Sequence, residues 1–254
     1  MKSLFISDLH LHPDHPECMQ LFSDFISEHA HAADSLYILG DLFEYWLGDD
    51  AIEFSGYRFV ADTLTSLSTS ATKILFMHGN RDFLVGKEFA SLSGCGLLPD
   101  PSVIDLAGNG VLLTHGDFLC TDDQEHLAFR RHTGDETWQK NILSQSIEAR
   151  DALARQIRIG SEEGKQIKPE SIMDVNQSAV EDQMQAHRVK LLIHGHTHRP
   201  AIHSFELAGQ PAHRIVLGDW YRTGSYLSVE DGVYELTSYP DNIVQSRLEP
   251  AWAR

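Results

Sequence analysis

Leu191-Leu192-Ile193-His194-Gly195-His196-Thr197-His198 is a short apolar run that stops in a glycine set among histidines. A few consecutive apolar residues cut off by a polar cluster read as a buried strand whose C-terminal loop carries the polar groups. The same pattern recurs four times upstream. Residues 3–6 run into Ser7-Asp8-Leu9-His10, and residues 35–39 into Gly40-Asp41. Residues 73–77 run into His78-Gly79-Asn80-Arg81, and residues 111–114 into His115-Gly116-Asp117. In open α/β folds, sites form where strand C-termini converge. Five such strands therefore predict one rim carrying all five clusters.

The segments between them complete the architecture. Residues 17–29 and 58–67 have the periodicity of crossover helices. Ser171 followed by Asp174 reads as a capping box opening a helix that runs to about residue 187. Ala107-Gly108-Asn109-Gly110 between two apolar runs is a hairpin signal. Beyond Arg214, residues 215–217, 225–229 and 233–237 read as further strands. Strands with interposed helices and a β-rich end predict a two-sheet α/β sandwich, a single domain over residues 1–254.

One region breaks the rhythm. Residues 123–168 carry no strand signal, while Phe129, Trp138, Ile142, Leu143, Ile147, Leu153, Ile157 and Ile159 recur at roughly helical spacing. This is an inserted helical element. Residues 126–168 hold eight Lys/Arg and six Asp/Glu, net +2, in a chain of −17, so the remainder carries −19. Periodicity alone is equally satisfied by an ordinary helical excursion packed on the core.

Composition removes several function classes. At 254 residues and 42% hydrophobic, the chain can build one sizeable packed core. A charge of −17 argues against nucleic-acid binding, which needs a basic footprint. It also disfavours electrostatic adhesion to anionic lipid, leaving membrane contact to a local patch. Cys18, Cys95 and Cys120 are odd in number and scattered, the usage of reduced thiols. The apolar run at residues 4–6 is too brief for a signal peptide, so a cytoplasmic start is expected. No apolar stretch approaches the ~20 residues that span a bilayer.

Asp8-x-His10, Gly40-Asp41-x-x-Glu44, Gly79-Asn80-Arg81-Asp82, His115-Gly116-Asp117 and Gly195-His196-x-His198 each carry metal-ligand residue types. Any one alone is weak, since a lone Asp-x-His is more often a turn. Five in order, each closing a strand, are specific. The arrangement resembles the calcineurin-like metallophosphoesterase superfamily over the length of the chain. That resemblance implies a dinuclear centre, with Asp8, His10, Asp41 and His198 on one metal and Asp41, Asn80, His115 and His196 on the other. Asp41 would bridge. Mixed carboxylate, imidazole and amide donors suit two Mn²⁺ ions or a similar borderline ion, and the absence of clustered thiolates argues against structural zinc. A bridging carboxylate can hold cations ~3.5–4 Å apart, where they acidify a bound water and neutralise phosphate oxygens. Asp41, Asn80, Arg81 and His115 are the implied catalytic set.

Arg81 departs from the commoner superfamily pattern, which has His after the Asn. An arginine cannot act as a general acid near neutral pH. It forks well onto phosphate, and a phosphate leaving group, with its second pKa ~6, needs no proton donor. The position thus leans toward a pyrophosphate substrate, with a surface or loop-anchoring arginine as the plain alternative. Longer matches follow: residues 40–50, 79–84, Cys120-Thr121-Asp122-Asp123, Ile172-Met173-Asp174-Val175-Asn176 and residues 193–200. They resemble the branch that splits the pyrophosphate of a UDP-linked diacylglucosamine in bacterial lipid A synthesis. The resemblance implies water attack on the α-phosphorus, giving UMP and 2,3-diacylglucosamine 1-phosphate. It also implies peripheral association with the cytoplasmic side of the inner membrane, and the chain is expected to act as a monomer. The insertion would be a lid over a nucleotide-linked glycolipid. Asn80, Arg81, Asp123, Ser161, Lys168 and His196 are implied substrate contacts. Lys165 stands where relatives carry Asn, which leaves its contact open.

Two acyl chains need an apolar trough, since each buried CH₂ is worth about 0.8 kcal/mol. Phe129, Trp138, Ile142, Ile147, Leu153 and Ile157 are candidates, and Tyr45 and Trp46 either line the site or fill the core. Three other readings stand beside this one: another dinuclear phosphatase or phosphodiesterase, a non-catalytic scaffold of the same fold, and a nuclease. Intact ligand positions count against the scaffold, Arg81 and the insertion against the first, and the charge against the last.

Overall fold

The computed structural model describes residues 1–250, with the side chains of residues 162, 165–167, 170 and 171 outside the description. In chain order the strands are β1 (Lys2–Ile6), β2 (Ser35–Leu39), β3 (Lys73–Met77), β4 (Cys95–Leu98), β5 (Ser102–Leu106), β6 (Asn109–Thr114), β7 (Leu191–His194), β8 (Ala201–Leu207), β9 (Gln210–Val216), β10 (Gly224–Glu230), β11 (Val233–Tyr239) and β12 (Val244–Leu248). The helices are α1 (Pro16–Glu28), α2 (Arg58–Thr69), α3 (Lys87–Ser93), α4 (Gln124–Thr133), α5 (Glu136–Leu143), α6 (Ile147–Ile167) and α7 (Gln177–Ala186).

The strands form two sheets, of order β12-β11-β10-β1-β2-β3-β4 and β5-β6-β7-β9-β8. Strands β1 to β4 are parallel, as are β6, β7 and β9, with antiparallel neighbours outside them. The expected two-sheet α/β sandwich is what forms. Alternation explains why the central strands read as continuous apolar runs: both faces are buried. In β1, Phe5 points between the sheets with Met77, Leu113 and Ile193, while Leu4 and Ile6 face the outer layer with Phe22 and Phe25 of α1 and Leu64 of α2. Each such side chain contributes about 1.5–3 kcal/mol by leaving water. On the far side, Leu112 and Leu192 pack beneath Val180 and Met184 of α7.

The parallel ladders put the ends of β1, β2 and β3 side by side on one sheet and those of β6 and β7 side by side on the other. The five polar clusters therefore meet at one end of the sandwich. The insertion is helical throughout, and each of its helices has a side-chain cap. Asp123 accepts from His126 N, Asp135 from Trp138 N, and Ser146 from Ala149 N.

One boundary moves. The expected capping box at Ser171 and Asp174 does not open α7, because Asn176 does, accepting from Ser178 N and Ala179 N. Asp174 is extended, and its carboxylate is engaged by Val175 N and Arg199 instead. Strands β4, β8 and β12 carry no clear signal in the sequence. They lie at or next to sheet edges, where exposed polar residues such as His203 and Ser204 dilute the apolar pattern. The hairpin turns are better marked: Ala107-Gly108 between β5 and β6, Ala208-Gly209 between β8 and β9, and Asp231-Gly232 between β10 and β11 all have positive φ at both residues, the type I′ signature. Among the described residues no helix is long and apolar enough to cross a membrane.

Candidate functional site

Backbone N–H groups stitch the five loops together, donating to backbone carbonyls and to the carboxylates of Asp8 and Asp82. Asp8 N donates to Gly40 O at 3.1 Å and His10 N to Asp41 O at 3.0 Å, joining the first loop to the second. Asp82 Oδ1 accepts from Gly79 N at 2.7 Å and Oδ2 from Leu42 N at 2.7 Å, joining the third to the second. Gly195 N donates to His115 O at 2.9 Å, and His196 N to Asp8 Oδ2 at 2.8 Å, closing the ring. The loops turn tightly: Asp8, His10, Asp41, His196 and His198 all sit in the left-handed region, with φ of 58°, 51°, 52°, 67° and 56°. Such conformations cost a non-glycine residue about 1–3 kcal/mol and persist where the surroundings over-determine them.

All seven expected ligands meet in this ring. Donor atoms of Asp8, His10 and His198 lie within 4.8 Å of one another, as do those of Asp8, Asp41 and His115. His10 Nε2 faces His198 Nε2 at 3.2 Å. Asn80 Oδ1 lies 3.0 Å from His115 Nε2 and 2.9 Å from His196 Nδ1. Asp8 Oδ1 is buried without a directed hydrogen bond, 3.2 Å from His198 Nε2. Oxygen and imidazole donors crowded this closely, with a buried carboxylate oxygen short of partners, fit divalent cations of borderline character. His115 Nδ1 lies 2.9 Å from Leu39 O, which orients the ring so that Nε2 faces Asn80 Oδ1.

The electrostatics describe one mutually dependent cluster. Burial opposes charge on His115, yet Asp41, Asp8 and Asp117 push it up to about 9. His198 is likewise raised to about 9 against burial, by Asp8 and Asp219. Burial lifts Asp41 to about 6 despite His115, whereas His198 and its neighbours hold Asp8 well below the carboxylate range despite burial. His196 is driven down by burial and by His115.

Beside the ring lies a cavity of about 460 Å³. Asn80, Arg81, Asp123, Ser161, Lys168 and His196 all line it. Arg81 is no surface residue: it is 8% exposed, its backbone N donates to Asp41 Oδ1 at 2.9 Å, and its Nη1 donates to Glu44 Oε2. Lys168 Nζ donates to Asp123 Oδ1 at 2.7 Å, so an ion pair joins the two ends of the insertion. The Lys165 side chain lies outside the described residues. Of the apolar candidates, Phe129, Trp138, Ile142, Leu153 and Ile157 line the cavity, together with Tyr45 and Trp46. Ile147 does not line it; it occupies the first turn of α6, half-buried away from the cleft. Trp46 serves both purposes, stacking on Tyr57 at 5.7 Å within the core.

Helix α6 is held over the cleft by polar contacts with the loop after β2. Arg150 donates through Nη1 to Leu47 O at 2.6 Å and Asp50 Oδ1 at 2.8 Å, and through Nη2 to Asp50 Oδ2. Tyr45 Oη donates to Asp151 Oδ1 at 3.3 Å, and Arg158 Nε to Glu44 Oε1 at 2.7 Å. Sequence reasoning missed Asp219, which lies 3.5 Å from His198 Nδ1, and Tyr221, whose ring stacks on His10 at 5.1 Å. A signal exists: Leu217-Gly218-Asp219 after β9 repeats the strand-Gly-Asp pattern of residues 39–41. His126, 5.0 Å from His196 ring to ring, is hidden inside the insertion.

Comparison with known proteins agrees with this geometry. Residues 1–200 match the model of the calcineurin-like phosphoesterase family. A protein of Chromohalobacter salexigens named UDP-2,3-diacylglucosamine hydrolase is 50% identical over 220 residues, 87% of this chain and 89% of that relative. Proteins of the same name from Stenotrophomonas maltophilia and Pseudomonas aeruginosa are 48% and 45% identical, covering 93% and 94% of this chain and 98% and 100% of theirs. Among solved structures, a dimetal phosphatase from Danio rerio superposes with a TM-score of 0.53 at 12% identity, covering 94% of this chain and 95% of that one, a likeness of fold. With its loops, its cleft and these relatives together, the chain belongs to the calcineurin-like phosphoesterase family, in the group whose members carry the name UDP-2,3-diacylglucosamine hydrolase.

Proposed function

We propose that the protein hydrolyses the pyrophosphate bond of UDP-2,3-diacylglucosamine by water attack on the α-phosphorus, giving UMP and 2,3-diacylglucosamine 1-phosphate, a step of lipid A biosynthesis. The observation that carries the proposal is a cleft with two chemically opposite walls. Asp41, Asn80, His196, His198 and Arg81 line it from the loops, and Phe129, Trp138, Ile142, Leu153 and Ile157 line it from the helical insertion. A phosphate-bearing lipid needs both.

Asp8, His10, Asp41 and His198 would hold one cation and Asp41, Asn80, His115 and His196 the other, with Mn²⁺ as the proposed ion. When bound, such a pair supplies Lewis acidity toward phosphate oxygens and an acidified water near neutral pH. Leu39 O keeps the His115 ring oriented, and Asp41 provides charge between the two positions. Arg81 meets the leaving phosphate, to which it offers a fixed fork of donors rather than a proton. A phosphate departs without protonation because its second pKa is ~6. Asp123, Ser161, Lys168 and His196 bracket the glucosamine phosphate, and Lys165 is a proposed addition to them. Phe129, Trp138, Leu153 and Ile157 receive the acyl chains and keep water from that wall.

The proposal includes a monomer that acts peripherally at the cytoplasmic face of the inner membrane, because a substrate with two acyl chains partitions into lipid. The test is incubation with UDP-2,3-diacylglucosamine and Mn²⁺ in ¹⁸O-water. Release of UMP carrying the label is expected. Label in the lipid phosphate would move attack to the other phosphorus, and absence of UMP would overturn the reading.

A further inference from the structure

Glu44 closes the motif that begins at Gly40 and is not itself an expected ligand; its Oε2 lies 3.7 Å from His10 Nδ1, a longer contact than those it makes with two arginines. Its two oxygens are divided between two cations from different parts of the chain. Oε2 accepts from Arg81 Nη1 in the third metal-side loop, and Oε1 accepts from Arg158 Nε on α6 at 2.7 Å. The three side chains are largely withdrawn from water, with side-chain exposures of 5% for Arg81, 18% for Arg158 and 20% for Glu44, and all three line the cleft. Charge-assisted bonds in such surroundings are short and directional.

We infer that Glu44 is a positioning residue: by holding Arg81 and Arg158 on its two oxygens, it sets both guanidinium groups as a pre-aimed clamp for the diphosphate. The inference rests on the hydrolase reading above and adds a residue to it. Two free guanidinium groups at this separation would repel each other and sample many rotamers. One carboxylate between them cancels the repulsion and fixes both forks. A diphosphate entering the cleft then meets donors already ordered, so less of its binding energy goes into arranging them. Arg158 comes from the insertion, so the same carboxylate also registers the apolar wall against the reacting end of the cleft.

The test is a cycle on the intact enzyme with UDP-2,3-diacylglucosamine and Mn²⁺: wild type, Glu44→Gln, Arg81→Gln and the double variant, with bound metal measured for each. Wild-type turnover comes first, since its absence would sink the hydrolase reading and leave nothing to position. Given turnover, Glu44→Gln is expected to lower kcat by about 10- to 100-fold, the usual effect of removing a supporting partner. KM should stay level or fall, because a negative charge has left a site for an anion. In the Arg81→Gln background the same change should cost almost nothing further. Equal losses in both backgrounds, a rise in KM with kcat kept, or loss of metal from Glu44→Gln would each overturn the inference. Glu44→Asp, which keeps the charge, should recover part of kcat; if it is as slow as Glu44→Gln, the charge is not what orders the arginines.

Discussion

Gly195 offers the sharpest perturbation of the ring. A Cβ built at this position would lie 2.0 Å from Ser7 Oγ and 2.4 Å from Asp8 Oδ2, where ordinary contact begins at 3.4 Å. Asp8 would have to yield by 1.0 Å, the difference between those last two figures. That displacement separates its Oδ2 from Ser7 Oγ, now at 2.6 Å, and from His196 N, at 2.8 Å. Gly195→Ala therefore pulls one ligand loop away from another with no change in the ligand residues themselves. Overpacking of a close-packed site costs about 1–3 kcal/mol, and in a chain of this size each kcal/mol corresponds to about 2–4 °C in Tm. Activity should suffer more, because a misplacement of about 1 Å at a reacting centre can cost about 10²-fold. The assay is UMP release alongside bound Mn²⁺ and a thermal melt. Gly110→Ala is the control, since its Cβ would meet nothing closer than 3.6 Å. Wild-type turnover and metal content in Gly195→Ala would refute the account of how the loops are held.

Other expectations follow from the same geometry. Asp41→Asn should purify folded with kcat reduced by orders of magnitude, because the charge between the two cation positions is gone; near-normal turnover with metal bound would remove its bridging role. Ile157→Glu should raise KM for the diacyl substrate far more than for a short-chain analogue, whereas Ile147→Glu, outside the cleft, should shift neither selectively. Metal uptake should strengthen as pH rises toward 9, because His115 and His198, both pushed up to about 9, must give up protons to bind; a pH-independent affinity in calorimetry would contradict this. Cys95 and Cys120, raised by burial to about 11 and about 12, should resist alkylation at pH 8.5 until the protein is unfolded.

The convergence of the seven expected ligand positions is legible in the chain because the topology is simple at that end. Parallel strands deliver their C-termini to one rim, and an apolar run that stops in a polar cluster marks where each strand exits. The insertion is readable as helix, yet its division of labour is not: Ile147 and Ile157 share a period, and only the docking of α6 decides which one meets the cleft. Glu44 illustrates another limit. A carboxylate three residues after a ligand could be a ligand, a cap or a surface charge, and its role emerges only when Arg158, more than a hundred residues away, folds onto it. Asp219 escapes a sequence reading because its strand exit, Leu217-Gly218-Asp219, is short and carries no second ligand type beside it. Edge strands β8 and β12 lack two buried faces, so their sequences carry half the signal of β1 or β3.

Five donors in the left-handed region also set how this protein can be engineered. Glycine at Asp8, His10, Asp41, His196 or His198 would relax about 1–3 kcal/mol of backbone strain, but at Asp8 and Asp41 it would also remove the buried acceptors for His196 N and Arg81 N. A selection for heat resistance alone would weigh these side chains only by the bonds they make and would be blind to hydrolysis. Libraries built on this scaffold should hold the five codons constant, or score hydrolysis in the same round as survival.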